Sequence, residues 1–323
     1  TPVLHQRDKF GRDTQYIEYH PAYRELEKAA FGEFGIHALS IRKGIMGWPD
    51  KYPVVAKHAF TFLFNQTEFG MGCPINVTDG CAKLLNNFGS EALKAKYLDG
   101  LTQTDMSKLT QGGQFMTEKE GGSDVGKLTT TAVQEGDHWR LYGEKWFCSN
   151  ADAKVVMLLA RPEGAGPGTR GVGLFLMPRF LDDGSQNHYR IVRLKDKLGT
   201  RSMASGEIKF EGAIAYAVGK LDRGFVQMAE MVNSSRLSNG VKSTALMRRA
   251  HHDAMTVAKN RVVFGQRIID LPLARRQLMK IMLPTEQALS MSFLTADALD
   301  RAEAGSQDAA ALLRILTPTL KFR

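Results

Sequence analysis

The sequence contains no long apolar run and few cysteines. No stretch approaches the roughly 20 apolar residues of a membrane-spanning helix, so we predict no membrane span. The three cysteines, Cys73, Cys81 and Cys148, form no C-x-x-C pair. An odd number at this spacing favours neither a disulfide framework nor a zinc site. We therefore expect no bound metal and a reducing, cytoplasmic location.

Acidic residues are fewer than basic ones. The sequence has 34 aspartates and glutamates and 43 lysines and arginines, which gives a net charge of +9. Such a charge favours polyanionic partners, either nucleic acid or a phosphate-rich cofactor. The basic residues are dispersed, and the dipeptides Arg248-Arg249 and Arg275-Arg276 lack interleaved aromatic residues. Nucleic acid is thus kept as an alternative partner that no motif supports.

The apolar spacing changes twice along the chain. It is helical from about residue 22 to 97, short and strand-like from 113 to 219, and helical again from 224. We predict an α+β protein with an N-terminal α-helical domain (1–112), a middle antiparallel β-sandwich or barrel domain (113–221) and a C-terminal helical bundle (222–323). The bundle is expected to be incomplete, because a terminal helix needs partners for its apolar face.

Within the middle segment, turn residues separate short β-branched and aromatic runs. Residues 135–138 predict a hairpin turn. No helix separates the runs, which favours antiparallel pairing. The predicted strands are 129–133, 139–142, 155–160, 173–177, 190–194 and 207–210. Further on, a long helix is predicted to residue 262, a second after Pro272, and a third from Gln307 to Arg323.

Five motifs carry a resemblance to a known family. Residues 116–124 read MTEKEGGSD after a predicted strand, and residues 143–150 read GEKWFCSN. They resemble the two flavin-binding segments of the acyl-CoA dehydrogenase family. Residues 197–202 (KLGTRS), Ser235-Arg236 and residues 261–265 (RVVFG) match further family elements in the same order. The resemblance covers residues 22–323. Within the family, the sequence resembles the AidB-like branch, and we expect it to be truncated at both ends relative to other members.

The resemblance implies FAD as cofactor and acyl-CoA as substrate. The Met116 backbone and the Thr117 hydroxyl are expected at the pyrimidine edge of the isoalloxazine, the Ser149 hydroxyl near N5, and Phe147 against the ring. Arg261 and Phe264 resemble a pair that contacts the FAD of a neighbouring subunit in a tetramer. The residues expected to bind FAD are Met116, Thr117, Ser123, Phe147, Ser149, Arg261 and Phe264, and those expected to bind acyl-CoA are Ser123 and Arg236.

The resemblance also implies the reaction, α,β-dehydrogenation of an acyl-CoA thioester, with an unknown electron acceptor. Some members carry a glutamate base where Ser235 stands here, and a hydroxyl cannot replace a carboxylate. Other members carry the base in a loop that would lie beyond Arg323. We therefore expect no catalytic residue in this sequence and weak or no turnover. Pro272 replaces a family glutamine, which weakens the expected intersubunit contact.

Two alternatives remain open at this stage. One is a DNA-associated flavoprotein of the alkylation response, which the AidB-like features suggest. The other is a flavoprotein that binds acyl-CoA without reaction. Flavin bleaching by acyl-CoA would favour the enzyme, whereas salt-sensitive DNA retention without bleaching would favour the DNA-associated protein.

Overall fold

The N-terminal region begins with a β-hairpin that the apolar spacing did not predict. The structure is a computed structural model that describes residues 1–322. In it, β1 (Val3–Arg7) pairs antiparallel with β2 (Asp13–Glu18). Side-chain amides fix it to the middle of the chain, since Gln15 accepts a hydrogen bond of 2.6 Å from the Ile191 amide. These contacts join residues far apart in sequence, so local patterns carry no signal for them.

Four helices follow the hairpin: α1 (Pro21–Glu27), α2 (Val54–Asn65), α3 (Gly72–Phe88) and α4 (Glu91–Leu101). Ser90 caps the start of α4, because its hydroxyl accepts a hydrogen bond from the Leu93 amide at 3.3 Å. Most of α3 is buried, so it forms the centre of this helical layer.

The middle of the chain forms a closed ring of strands. Its seven strands are β3 (Gly112–Phe115), β4 (Thr131–Glu135), β5 (His138–Ser149), β6 (Val155–Pro162), β7 (Gly173–Pro178), β8 (Tyr189–Leu194) and β9 (Ser205–Ala217). Pairings run β5–β4–β6–β7–β9 and return to β5, while β3 joins β5 to β6 and β8 adds to β9. The predicted α+β class with a middle β-barrel is confirmed. Two pairings, β3–β6 and β4–β6, are parallel rather than antiparallel, because the β4–β5 hairpin reverses the chain before β6.

The predicted hairpin turn lies between β4 and β5, where Gly136 adopts φ +63°. β5 is longer than predicted, since it continues from His138 through the whole 143–149 motif. β9 is likewise longer and extends on both sides of the predicted 207–210 run. The sequence-derived domain limits stay predictions.

The C-terminal part contains the three predicted helices: α5 (Gly224–Asn260), α6 (Pro272–Glu303) and α7 (Gln307–Phe322). A two-residue turn, Phe264-Gly265, joins the short strands β10 (Val262–Val263) and β11 (Gln266–Arg267) between α5 and α6. Both turn residues have positive φ, as a tight hairpin requires. Arg323, to which the third helix was extended, lies outside the described residues. Within residues 1–322, no helix is both long and apolar enough to cross a bilayer.

The apolar core has two main parts. One fills the barrel and its contact with the N-terminal segments, and the other lies where α3 and α5 pack on the sheet. Gly80 lets α3 and α5 approach closely, because a Cβ there would lie 2.7 Å from Met231 Cγ. A buried ion pair joins α2 to α3, with Lys57 Nζ 2.5 Å from an Asp79 carboxylate oxygen.

We expect Asp79→Ala to lower the free energy of unfolding by about 3–5 kcal/mol, because it leaves the Lys57 charge buried and unpaired. The matched control is Asp182→Ala, which removes the partner of Lys96 in an exposed ion pair and is expected to cost less than about 1 kcal/mol. Urea unfolding curves measure both values. Equal effects in the two variants would contradict the prediction.

Candidate functional site

The two motif segments lie side by side. Gln114 at the end of β3 is paired with Ser149 on β5. Past the end of β3, the Trp146 amide donates to the Thr117 carbonyl oxygen at 2.8 Å, which continues the same antiparallel register. Thr117 and Ser149 are therefore offset by three residues along neighbouring backbones, about 10 Å at 3.3 Å per residue.

Phe147 is turned away from the core by an irregularity in β5. The pairing of β5 with β9 shifts register between Lys145 and Cys148, and Phe147 has φ +53°. Positive φ is uncommon for a bulky residue, and bulges redirect side chains. The result is a phenyl ring that is 61% exposed, although Lys145 and Cys148 on the same strand are fully buried. Its face is available to a flat ligand.

Trp146 and Lys195 stand beside this ring. The Trp146 and Phe147 rings meet edge to face, with centroids 6.2 Å apart. The Lys195 ammonium lies 3.4 Å from the Trp146 centroid and 4.7 Å from that of Phe147, and it also pairs with Glu207 at 2.5 Å. This cation–π contact fixes the indole ring and completes an aromatic wall.

Glu118 holds the 116–124 loop against the strands. Its buried carboxylate accepts from the Lys145 ammonium at 2.5 Å and from the amides and hydroxyls of Thr129 and Thr130. Burial by itself raises the pKa of Glu118, but the Lys145 charge and these hydrogen bonds outweigh it and lower the pKa below its ordinary value. Glu118 is thus a structural anchor that joins the loop to β5 and to the two threonines.

The Ser149 hydroxyl belongs to a short polar chain. Ser149 Oγ lies 3.3 Å from Ser205 Oγ on β9, and the Lys197 ammonium donates to Ser205 Oγ at 3.1 Å. The sequence analysis did not assign a role to Ser205 or Lys197. The β5–β9 register, which places Ser149 opposite Ser205, could be found only from the fold.

Ser123 lies in the exposed part of the loop that Glu118 anchors. The loop's other end is held by Arg161, whose guanidinium donates to the Gly126 carbonyl oxygen at 2.7 Å. Gly122, Ser123 and Asp124 are exposed, and a glycine-containing turn lets backbone amides approach an anionic group. Ser123 therefore remains available to a phosphate.

Arg236 and Ser235 lie on α5. Arg236 is exposed and donates to Asn233 at 2.9 Å. Ser235 accepts from the Asn76 side chain on α3 at 2.8 Å, which gives its hydroxyl a structural contact. Gln114 on β3 reaches Met228, two turns earlier on α5. The Gln114 contact links the first third of α5 to β3, the strand that precedes the 116–124 motif.

Arg261 and Phe264 are far from the other predicted residues. From Arg236 to Arg261 the helix rises about 37 Å at 1.5 Å per residue. Phe264 lies at the tip of the β10–β11 hairpin and is 93% exposed. The structure does not bring this pair together with Thr117 and Ser149 in one chain. The intersubunit role that the resemblance implies for this pair stays a prediction.

A cavity of about 350 Å³ lies between α3, α5, α6 and α7. A wider, more polar cavity of about 820 Å³ adjoins it, and both cavities are lined by Lys83, Asn87 and Glu303. The apolar side chains of the smaller cavity are Leu84, Met231, Leu237, Leu299, Ala302 and Leu313. An apolar interior with a polar mouth suits a ligand that has an aliphatic chain and a charged head.

The residues at the β3–β5 edge fit a flavin. Within residues 1–322 the Thr117 hydroxyl has no hydrogen-bond partner, so it is free for a ligand. An outward aromatic ring stands beside it, and the Ser149 hydroxyl follows on the neighbouring strand. A flat ring with a polar edge requires this combination of apolar wall and few polar groups.

Three family models match consecutive parts of the chain. "Adaptive response protein AidB N-terminal domain" matches residues 1–107, "Acyl-CoA dehydrogenase, middle domain" residues 113–213, and "Acyl-CoA dehydrogenase, C-terminal domain" residues 222–322. The motifs and the fold described above thus agree with three independent matches in one order.

Individual relatives give the same result. The chain is 36% identical to acyl-CoA dehydrogenase family member 11 of Caenorhabditis elegans and 35% identical to the putative acyl-CoA dehydrogenase AidB of Escherichia coli (strain K12). Each alignment covers 99% of this chain, but only 53% and 59% of the respective relative. The chain therefore spans little more than half the length of these curated relatives.

Solved structures are similar over nearly the whole chain. The apo-form of Bd2924 matches with a TM-score of 0.91 and 32% identity, covering 99% of this chain and 64% of that one. Caenorhabditis elegans ACDH-11 in complex with C11-CoA matches with a TM-score of 0.90 and 35% identity, covering 99% and 55%. The fold and site thus define a chain of the acyl-CoA dehydrogenase type. The chain belongs to the acyl-CoA dehydrogenase family and, within it, to the AidB-like branch.

We expect Glu118→Gln to lower the free energy of unfolding at pH 7 by about 3–5 kcal/mol, because Lys145 stays buried without a counter-charge. The folded-state pKa of Glu118 is lowered, so its stabilising effect is complete above about pH 4.3 and is lost as the pH falls through the folded-state value. The difference between wild type and variant should therefore narrow in acid. Urea unfolding from pH 7 to about pH 3.5 measures it.

The control for this experiment is Glu120→Gln, which changes an exposed carboxylate of the same loop. It is expected to leave stability within about 0.5 kcal/mol of wild type. A Glu118→Gln effect that stayed constant across the acid range would mean that the carboxylate charge does not stabilise the fold.

Proposed function

We propose that this chain binds FAD along the β3–β5 edge and acyl-CoA beside it, and that the protein catalyses α,β-dehydrogenation of acyl-CoA thioesters. The observation that carries the proposal is the position of two hydroxyl-bearing residues, Thr117 and Ser149, on neighbouring backbones with the exposed Phe147 ring beside them. Family membership supports FAD as the ligand. FAD, when bound, supplies the hydride acceptor, and the protein supplies orientation and polarity.

Each residue of the edge has a part in this proposal. The Met116 backbone and the Thr117 hydroxyl bind the pyrimidine edge, Ser149 donates toward N5, and Phe147 packs on the ring. Ser123 binds a phosphate with the backbone amides of its loop. Lys145 and Glu118 hold these groups in place but do not contact the ligand.

We propose the apolar cavity between α3 and α5 as the site of the acyl chain. Its lining is mainly aliphatic, and it lies next to Ser234, one residue from Ser235 and two from Arg236. Arg236 is exposed at this end of α5, where its charge suits the CoA moiety. A relative in complex with C11-CoA supports acyl-CoA as the substrate class.

We do not place the catalytic base at position 235. A base must take a proton from carbon next to a thioester, which needs a carboxylate-like acceptor, and Ser235 instead accepts from Asn76. Residues 1–323 are accordingly proposed to bind both ligands with weak turnover.

We also propose that the protein forms an oligomer, and the family resemblance suggests a tetramer. Arg261 and the exposed Phe264 would then reach the FAD of a neighbouring subunit, since they cannot reach that of their own chain. A cytoplasmic location remains a proposal.

Nucleic acid gains no support from the described residues. The arginines of the basic dipeptides are largely engaged in ion pairs within the chain, so they form no free basic stripe. These ion pairs are Arg248–Glu286 at 2.8 Å, Arg249–Asp253 at 3.0 Å and Arg275–Asp270 at 3.5 Å. FAD and acyl-CoA remain the proposed ligands.

We expect Thr117→Val and Ser149→Ala each to weaken FAD binding about fivefold, since each removes one hydrogen bond. Phe147→Ala is expected to weaken it about tenfold through loss of ring contact. Titration of the flavin-free protein with FAD, followed by flavin fluorescence, measures the dissociation constants. The control is Phe10→Ala, an exposed phenylalanine on the N-terminal hairpin, which should bind FAD as wild type does. Unchanged binding in all three site variants would refute the placement.

We expect Ala302→Phe to fill part of the apolar cavity and to weaken binding of an eleven-carbon acyl-CoA at least about tenfold, while butyryl-CoA binding changes less than about twofold. The control is Ala311→Phe, at an exposed position of α7. Equal loss for both ligands would place the acyl chain elsewhere.

The same binding experiment separates catalysis from binding alone. If acyl-CoA binds but leaves the flavin oxidised under all conditions, the result favours a flavoprotein that binds acyl-CoA without reaction.

A further inference from the structure

The Ser149 hydroxyl is connected to a charged group in the protein interior. Ser149 Oγ lies 3.3 Å from Ser205 Oγ, and Lys197 Nζ lies 3.1 Å from Ser205 Oγ. Ser205 is buried, so water does not compete freely for these contacts. The three side chains form a chain that runs from an ammonium to the proposed flavin edge.

The chemistry of the groups gives this chain a direction. An ammonium has only donors, so Ser205 Oγ must accept from Lys197. A second Lys197 donor is used by the Met203 carbonyl oxygen at 2.8 Å, which fixes the ammonium in place. With its oxygen occupied and polarised, Ser205 can donate its own proton to Ser149. The competing acceptor is the Met203 sulfur at 3.4 Å, which is weak.

Ser149 then receives a hydrogen bond from inside the protein and keeps its own proton for the ligand side. Lys197 is half-buried, and within residues 1–322 no carboxylate lies within ion-pair distance of it. Burial lowers the pKa of Lys197 to about 8, while Cys73 of α3, the titratable group that faces it, acts in the opposite direction. At neutral pH the amine therefore still carries its proton and its charge is not neutralised by a partner.

We propose that Lys197 is a positioning residue that, acting through Ser205, commits the Ser149 hydroxyl to donating, so that the site selects a hydrogen-bond acceptor at flavin position 5. This inference rests on the proposed FAD site. The atom at position 5 of oxidised FAD is a nitrogen with a free lone pair, an acceptor. In 5-deaza-FAD the same position is a C–H, which cannot accept.

The test compares the affinities of FAD and 5-deaza-FAD for the flavin-free protein. We expect wild type to prefer FAD about fivefold to tenfold, the effect of one directed hydrogen bond. Lys197→Met and Ser205→Ala should each reduce this preference to less than about twofold. Lys197→Arg retains the charge and the donors and should keep most of the preference. Lys209→Met, which changes a half-exposed lysine on the same strand as Ser205, is the matched control and should behave as wild type.

The outcomes separate this inference from the proposal beneath it. If wild type binds neither flavin, or if Ser149→Ala leaves the preference unchanged, the proposed FAD site is wrong. If Ser149→Ala abolishes the preference while Lys197→Met and Ser205→Ala keep it, the FAD site stands and the role of Lys197 is refuted. A merely structural lysine would alter both affinities in parallel, and that result also counts against the inference. Ser205→Ala keeps the test decisive if Lys197→Met fails to fold.

Discussion

The buried ion pair between Glu118 and Lys145 is the contact on which the candidate site depends. It joins the loop after β3 to the middle of β5, and the two threonines that follow the loop bind the same carboxylate. A buried charge cannot leave its partner without a large cost in free energy. The loop and the strand are therefore held in one arrangement before any ligand binds. Such pre-organisation is what a binding edge made from two separate segments requires.

Three lysines near this edge differ in their partners, and the difference matters for the chemistry. Lys145 is buried against Glu118, and Lys195 lies over Trp146 and pairs with Glu207. Lys197 instead donates to a carbonyl oxygen and a hydroxyl. The first two charges are largely neutralised and serve the structure. The third remains available to polarise the hydroxyls of the site.

The length of α5 explains the wide separation of the predicted residues. This single helix of 37 residues contacts the sheet through Met228 and ends at the hairpin that carries Phe264. A rigid rod of this length keeps its two ends apart, so one chain cannot present both to one ligand. This separation is why the proposal assigns Phe264, exposed at the hairpin tip, to a neighbouring subunit.

Local patterns in the sequence determine the order of helices and strands in this protein. The helical, β and helical order follows from apolar spacing, and the breaks at Gly265 and Pro272 follow from backbone chemistry. The motif residues Thr117 and Ser149 were identified from their sequence context. Only the tertiary structure decided which side chains meet them. The pairing of Ser149 with Ser205, the approach of Lys197 and the contact of Gln15 with Ile191 join residues brought together by strand register and packing. Register depends on the whole sheet, and hence no local stretch of sequence encodes it.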